Sequence, residues 1–276
     1  MDGQQRTLMA NAHLYVLARR ALLDAVEALA AQRSAVILCG AQAIYLHVGE
    51  ADFAVSPYTS DADLMICPER LLKSPPIGAA MEGAGFRLAR QPGIWRSADG
   101  IEVDLLVPEA LGGSGRRGAR LETPHPSGVA RKVRGLEAAV LDNSAMQIEA
   151  LDEKDARRFE IAVAGPAALL VAKLHKLADR ASVLARLHDK DALDVLRLLR
   201  GVSTEALARS IRRLLADSLS ATVSDEAIEF LRRDFGSEAA QGTLMSVRAT
   251  EGLEDPEVLA ASCAALTADL LSALGP

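Results

Sequence analysis

Short apolar runs bounded by glycine, proline and polar residues dominate the chain between residue 30 and residue 165. Such runs are typical of buried strands, whereas residues 1–30 place leucine and valine at helical spacing. The sequence therefore predicts a long first helix. It predicts strands at residues 35–39, 62–67, 86–90, 94–97, 101–107, 139–142, 147–151 and 159–163.

The pattern changes at Gly165-Pro166. Proline is favoured at the first position of a helix, because its missing N–H has no partner to lose there. From Pro166 to the C-terminus the apolar residues follow helical spacing almost throughout. We therefore predict an α+β protein in which residues 1–164 form an α/β domain with a small mixed sheet. Residues 165–276 form an all-α helical bundle.

The amino-acid composition is that expected of a globular protein without a membrane span. Hydrophobic residues make up 50% and charged residues 25% of the 276 positions, which is a globular balance. Aromatic residues make up only 3%, which argues against a surface that stacks nucleic-acid bases. The formal net charge is −6, the three cysteines lie in apolar contexts, and no uncharged apolar run reaches 18 residues. We expect a cytoplasmic protein that does not cross a membrane.

A strand that ends in glycine and opens a helix is the first candidate site. Leu38-Cys39-Gly40-Ala41-Gln42 has this pattern. The backbone N–H groups of Gly40, Ala41 and Gln42 would face an anion such as a triphosphate, since the N-terminus of a helix favours negative charge. Any turn from a strand to a helix can use glycine, so a purely structural role is the alternative.

An Asp-x-Asp motif, Asp61 and Asp63, begins the second apolar strand. Alternation along a strand places both carboxylates on one face, where they repel each other unless a cation lies between them. Mg²⁺ or Mn²⁺ is the usual cation, because both take oxygen ligands and bridge phosphates. In the alternative interpretation, Asp61 caps a turn and Asp63 is a solvated residue at the end of the strand.

A third aspartate, Asp104, lies inside the apolar run of residues 101–107. A lone carboxylate is costly to bury. A metal ion shared with Asp61 and Asp63 would remove that cost.

Together these features resemble the nucleotidyltransferase superfamily of the DNA polymerase β type. Its pattern is a hydrophobic strand, Gly-Gly or Gly-Ser, a spacer, Asp-x-Asp, and a third carboxylate on a following strand. The resemblance implies that Asp61, Asp63 and Asp104 hold Mg²⁺ or Mn²⁺ on the phosphates of an NTP, and that the third carboxylate helps to activate an acceptor hydroxyl. Ala41 replaces the second Gly or Ser, and the spacer from Gly40 to Asp61 is longer than in the family.

The helical part resembles the C-terminal helices of AbiEii-type nucleotidyltransferase toxins, which belong to abortive-infection and type IV toxin–antitoxin systems. Lys173 precedes Arg180 by seven positions, and a Lys-Asp-x-x-Asp motif with Asp191 and Asp194 follows. The resemblance implies that Lys173 and Asp191 contact the nucleotide across from the metal carboxylates, with Lys176, Arg180 and Asp194 as second candidates. A solvated basic stripe with salt bridges to the next helix is the alternative.

A basic segment follows the strand that carries the third aspartate. Residues 111–134 contain one acidic residue, Glu122, and six basic residues: Arg116, Arg117, Arg120, Arg131, Lys132 and Arg134. Such a segment would hold a polyanionic acceptor such as tRNA through phosphate contacts. A solvated insertion without a ligand is the alternative.

We therefore expect an enzyme that moves a nucleoside monophosphate from an NTP to an acceptor hydroxyl and releases pyrophosphate. The acceptor is tRNA or another RNA, a protein side chain, or a small molecule such as an aminoglycoside. The AbiEii resemblance also implies a cognate antitoxin as a partner. Ala41 and the long spacer motivate the alternative, a nucleotidyltransferase fold without turnover that serves as a binding module.

Overall fold

The computed structural model describes residues 3–49, 58–181, 189–250 and 252–275, and their side chains from residue 12 onward. The strands are β1 (Val36–Cys39), β2 (Asp61–Ile66), β3 (Arg87–Leu88), β4 (Ile94–Arg96), β5 (Glu102–Pro108), β6 (Arg131–Val133), β7 (Asn143–Glu149) and β8 (Arg158–Ala164). They form one eight-stranded sheet in the order β3-β4-β5-β2-β1-β8-β7, with β6 paired to β5.

The middle of the sheet is mixed and buried. Strand β1 pairs antiparallel with β2 and parallel with β8, and β2 pairs parallel with β5. All four residues of β1 are at most 2% exposed, as a continuous apolar run predicts for a strand covered on both faces. The strands that carry the candidate aspartates, β2 and β5, are therefore neighbours, and β1 lies on the other side of β2.

Three helices accompany the strands: α1 (Gly3–Ala28), α2 (Gly40–Val48) and α3 (Ile77–Gly83). The predicted first helix is confirmed, and it packs against β2, β5 and β8. Ala18, Leu22 and Ala25 are at most 3% exposed and recur at the spacing of one helix face.

A helical region follows the sheet. Its helices are α5 (Pro166–Ala181), α6 (Asp189–Gly201), α7 (Thr204–Leu215), α8 (Ala221–Phe235), α9 (Gln241–Ala249) and α10 (Pro256–Leu274). Pro166 opens α5, as predicted from its missing N–H. The predicted α+β class, a mixed sheet with helices followed by an all-helical region, is confirmed.

The strand predicted at residues 139–142 is wrong, because this segment is part of helix α4 (Glu137–Leu141). A run of four apolar residues is too short for its periodicity to separate a strand from a helix. Asp142, the residue after α4, is bound to the start of the helical region. Its carboxylate accepts a hydrogen bond from Ala168 N at 3.0 Å, and its carbonyl accepts one from Gly165 N at 2.7 Å. The next strand, β7, begins only after Asp142.

The chain divides into two compact units. The sheet unit comprises Met1–Ala43, Pro57–Val133 and Asn143–Ala164, and the helical unit comprises Ile44–Ser56, Arg134–Asp142 and Gly165–Pro276. Helix α4 thus belongs to the helical unit, where it packs against α5 and α8, although it precedes β7 in the sequence.

Helix α10 is, by length and composition alone, apolar enough to cross a membrane, with a mean hydropathy of 1.5. Within the helical unit it packs against α7, α8 and α9. Leu259, Cys263 and Leu270 are at most 1% exposed there, as on the inner face of a bundle helix.

Candidate active site

The candidate aspartates lie side by side on β2 and β5. The parallel register pairs Asp61 with Glu102 and Asp63 with Asp104, so all four carboxylates project from one face of the sheet. Glu102 is at the exposed end, where Arg96 binds it at 2.8 Å. Asp61 accepts a hydrogen bond from Thr59 Oγ1 at 2.5 Å. The strands thus bring the three predicted metal ligands to adjacent positions.

Gly40 is required for the position of Asp63. Gly40 has a φ of +71°, and a Cβ placed on it would lie 2.0 Å from Asp63 Oδ2. The carboxylate of Asp63 therefore lies directly against the first residue of α2, where the N-terminus of the helix stabilises negative charge. The glycine permits both a left-handed backbone and this close approach.

Gln42 supports the strand of the Asp-x-Asp motif through its side chain. It is 1% exposed, and Gln42 Nε2 donates to the carbonyl of Asp61 at 3.0 Å. Arg19 Nε donates to Gln42 Oε1 at 2.8 Å. Both ends of the Gln42 amide are thus used within the protein, so this side chain holds the first residue of β2 in place. Ala41, also buried, adds no polar side-chain group.

Arg131 belongs to the basic segment predicted to contact a polyanion, but it binds a carboxylate of the candidate site instead. It lies on β6, which pairs in parallel with β5, and Arg131 Nη2 donates to Asp104 Oδ2 in a charged hydrogen bond. Burial raises the pKa of Asp104, and Arg131 offsets this effect only in part, while Asp61 adds to it. Burial opposes the charge of Arg131, but Asp104 and then Asp63 raise the pKa of Arg131 above its usual value. The guanidinium is thus the internal cation of the carboxylate cluster.

The donor chemistry of this cluster suits a hard divalent ion, because three carboxylates share one face of two adjacent strands. In the part of the chain that the structure describes, however, no group of three or more His, Cys, Asp or Glu side chains is arranged to hold a metal ion. Asp104 is turned toward Arg131 instead. A metal ion at Asp61, Asp63 and Asp104 would therefore compete with Arg131 for Asp104.

The other basic residues of residues 111–134 fall into two groups. Lys132 Nζ donates to Gly113 O at 3.0 Å, and Arg134 binds Glu226 at 2.7 Å within the helical unit. Arg116, Arg117 and Arg120 are exposed. Arg134 is exposed as well, but its guanidinium is bound to Glu226. Arg116, Arg117 and Arg120 are therefore the candidates for contact with a polyanion.

The predicted lysine and aspartates of the helical part form a buried ion cluster. Lys173 Nζ donates to Asp191 Oδ1 at 2.8 Å and to Asp194 Oδ2 at 2.7 Å. Lys176 and Arg180 bind Asp191 at 3.0 and 2.9 Å. The side chains of Lys173 and Asp191 are each 6% exposed, and that of Asp194 is 0% exposed. The salt bridges to the next helix that the alternative interpretation predicts are therefore present, but Lys173 is buried and not solvated.

The charges of this cluster stabilise one another. Burial opposes the charge of Lys173, but Asp191 and Asp194 raise the pKa of Lys173 well above its usual range. Burial also opposes the charge of Asp191, yet Lys173 and Lys176 hold the pKa of Asp191 far below its usual range. The cluster is thus charged at neutral pH, and its ion pairs connect α5 to α6.

The depressed pKa of Asp191 predicts acid sensitivity. Because the folded pKa lies below the unfolded value of about 3.9, the stabilisation is complete above that value and is lost as the pH falls toward the folded pKa. In urea titrations between pH 7 and pH 3, the wild type should lose free energy of unfolding more steeply than Asp191→Asn. Parallel pH profiles for the two proteins would show that Asp191 contributes nothing.

Comparison of the chain with protein-family models, with curated proteins and with solved structures finds no match. The functional interpretation therefore depends on the residues and geometry of the sheet unit, above all on Gly40, Asp61, Asp63 and Asp104.

Proposed function

We propose that the protein is a metal-dependent nucleotidyltransferase that moves a nucleoside monophosphate from an NTP to an acceptor hydroxyl. The observation that carries this proposal is the placement of Asp61, Asp63 and Asp104 on one face of adjacent parallel strands. Gly40, at the start of α2, holds the carboxylate of Asp63 against the N-terminus of that helix. A glycine turn and three carboxylates on a mixed sheet are what the nucleotidyltransferase resemblance implies.

The chemistry follows from these groups. Mg²⁺ or Mn²⁺ held by the three aspartates would neutralise the phosphates and favour loss of a proton from the acceptor hydroxyl. The acceptor oxygen forms a bond to the α-phosphorus, and the bond from that phosphorus to the bridging oxygen breaks, releasing pyrophosphate. Asp104 would accept the hydroxyl proton, because burial raises the pKa of this carboxyl and so makes it a stronger base.

RNA is the acceptor we favour. Arg116, Arg117 and Arg120 are exposed in the segment between β5 and β6, and arginine binds phosphate oxygens in a bidentate geometry. Some relatives of the AbiEii-type toxins modify tRNA acceptor ends, so that resemblance points to the same acceptor, and it adds a cognate antitoxin to the proposal. The composition adds a cytoplasmic location. A small molecule such as an aminoglycoside is a different outcome of the same assay.

Asp63→Asn should abolish transfer while leaving the melting temperature unchanged or higher. The substitution removes one of several neighbouring carboxylates, which relieves repulsion but removes an anionic metal ligand. The measurement is incorporation of label from each α-labelled NTP into total cellular RNA. Glu102→Gln is the matched control, since Glu102 lies on the same face but is bound by Arg96 at the exposed end. Transfer by Asp63→Asn at the wild-type rate would remove Asp63 from the mechanism.

Two observations favour a second candidate function, a binding module without turnover. Asp104 is paired with Arg131, and Ala41 supplies no hydroxyl group to a phosphate. Such a module would bind an NTP with Mg²⁺ in a calorimetric titration yet transfer no label to RNA, protein or aminoglycoside.

A further inference from the structure

An arginine binds the third carboxylate of the candidate site. Arg131 is registered opposite Leu106, two residues beyond Asp104 on β5, and its guanidinium forms an ion pair with Asp104. The Asp104 side chain is 13% exposed and that of Arg131 is 36% exposed. Arg131 is thus the more exposed partner of the pair.

The backbone holds Arg131 in this place. A Cβ on Gly93 would lie 2.6 Å from Arg131 N and 2.6 Å from Leu105 O, so the three chain segments approach as closely as only glycine permits. Leu105 N donates to Gly93 O at 2.8 Å, and Gly93 N donates to Gly128 O at 2.9 Å. The start of β6 is therefore fixed beside β5, and Arg131 reaches Asp104 from a defined position.

Arg131 does not use all its hydrogen-bond donors. Arg131 Nε is buried and has no hydrogen-bond partner among the described residues. Buried donors are satisfied in most folded proteins, so an unused one indicates a partner that arrives with a ligand or after a movement. Guanidinium offers a planar set of donors that matches a carboxylate or a phosphate equally well.

We infer that Arg131 is a cation that exchanges partners: it neutralises Asp104 until a divalent ion binds, and it then contacts a phosphate group of the NTP. This inference rests on the proposed function. A metal ion would compete with the guanidinium for the Asp104 carboxylate, to which Arg131 is bound. The ion would bring an NTP, whose phosphates accept hydrogen bonds from a guanidinium as a carboxylate does. Arg131 would then be a phosphate-binding residue as well as a regulator of metal affinity.

The test measures binding and needs no turnover. Calorimetric titration with Mn²⁺ alone compares the wild type with Arg131→Gln. Without the competing charge, Arg131→Gln should bind Mn²⁺ about tenfold more tightly, the smallest effect expected of one adjacent charge. Titration with a non-hydrolysable α,β-methylene NTP and saturating Mg²⁺ should give the opposite result. The analogue should bind Arg131→Gln about tenfold to hundredfold more weakly, because a charge-assisted hydrogen bond is lost.

Two further variants complete the test. Arg96→Gln is the matched control, because it removes an arginine that binds a carboxylate of the same strand, Glu102, outside the three aspartates. It should leave both dissociation constants unchanged. Arg131→Lys keeps the positive charge and should bind Mn²⁺ with the wild-type dissociation constant. If Arg131→Gln does not fold, comparison of Arg131→Lys with the wild type in the titration with the NTP analogue still tests the phosphate contact.

The outcomes separate this inference from the proposed function. Opposite changes in Mn²⁺ and analogue affinity support it. Equal Mn²⁺ affinity in the wild type, Arg131→Gln and Arg131→Lys, with affinity lost in Asp63→Asn, overturns the role of Arg131 and leaves the proposed function intact. Absence of Mn²⁺ binding in every protein, Arg131→Gln included, overturns both.

Discussion

Lys173→Met should destabilise the protein by about 3–5 kcal/mol, the usual cost of leaving a buried charge without its partner. Asp191 and Asp194 are nearly inaccessible, and Lys173 donates to both. Asp194 Oδ1 already lacks a hydrogen-bond partner among the described residues. Loss of the Lys173 ammonium would therefore leave the Asp194 carboxylate without its buried cation. The measurement is the free energy of unfolding in urea at pH 7.

Lys176→Met is the matched control for that prediction. Lys176 also binds Asp191, at 3.0 Å, but its side chain is 37% exposed, so its loss should cost less than about 1 kcal/mol. Adding Asp191→Asn and Asp194→Asn to Lys173→Met should recover part of the stability, because no unpaired carboxylate then remains buried. Normal stability of Lys173→Met together with weaker NTP binding would instead support the nucleotide contact that the AbiEii resemblance implies.

Gly40→Ala should reduce transfer at least about hundredfold, an effect comparable to loss of one electrostatic group from an active site. The new Cβ would meet the carboxylate of Asp63 at 2.0 Å and would also require a φ of +71°. The left-handed conformation alone costs about 1–2 kcal/mol, and relief of the clash must move Asp63 away from the start of α2. Transfer rate and melting temperature are measured together.

Gly85→Ala separates the two effects of that substitution. Gly85 has a φ of +87°, and a Cβ there would meet nothing within 4 Å. It should therefore lose only the stability that the left-handed conformation costs, about 1–2 kcal/mol, and keep full activity. Equal activity of Gly40→Ala and the wild type would show that the position of Asp63 does not matter to the reaction.

The sequence predicted the parts of the fold that local patterns determine. Continuous apolar runs gave the buried strands β1 and β2, and the proline at position 166 gave the start of α5. The four-residue run at 139–142 was assigned wrongly because a helix and a strand of that length share the same apolar pattern.

The candidate site was only partly predictable, because local patterns do not determine which strands pair. Alternation along β2 places Asp61 and Asp63 on one face, but the pairing of Asp63 with Asp104 depends on the parallel register of β2 and β5. The role of Arg131 was missed because its strand has three residues and follows a long segment, so no local signal indicates its pairing with β5.

The spacing of Lys173, Lys176 and Arg180 indicated a shared helix face and left two interpretations open, a nucleotide contact and salt bridges to the next helix. That Lys173 would be buried against Asp191 and Asp194 depends on the packing of α5 on α6, which no spacing within one helix determines. The amide of Gln42 likewise has its partners on α1 and β2, far from it in the sequence.

The most direct test of the central claim follows the two ends of one NTP in the same reaction. The protein is incubated with Mg²⁺, total RNA and an NTP that is labelled at the α-phosphorus in one sample and at the γ-phosphorus in the other. The account predicts that α-label enters an acceptor and that γ-label is released as pyrophosphate in equal amount, with both signals lost in Asp63→Asn. Transfer of γ-label to an acceptor, or release of inorganic phosphate alone, would contradict nucleotidyl transfer.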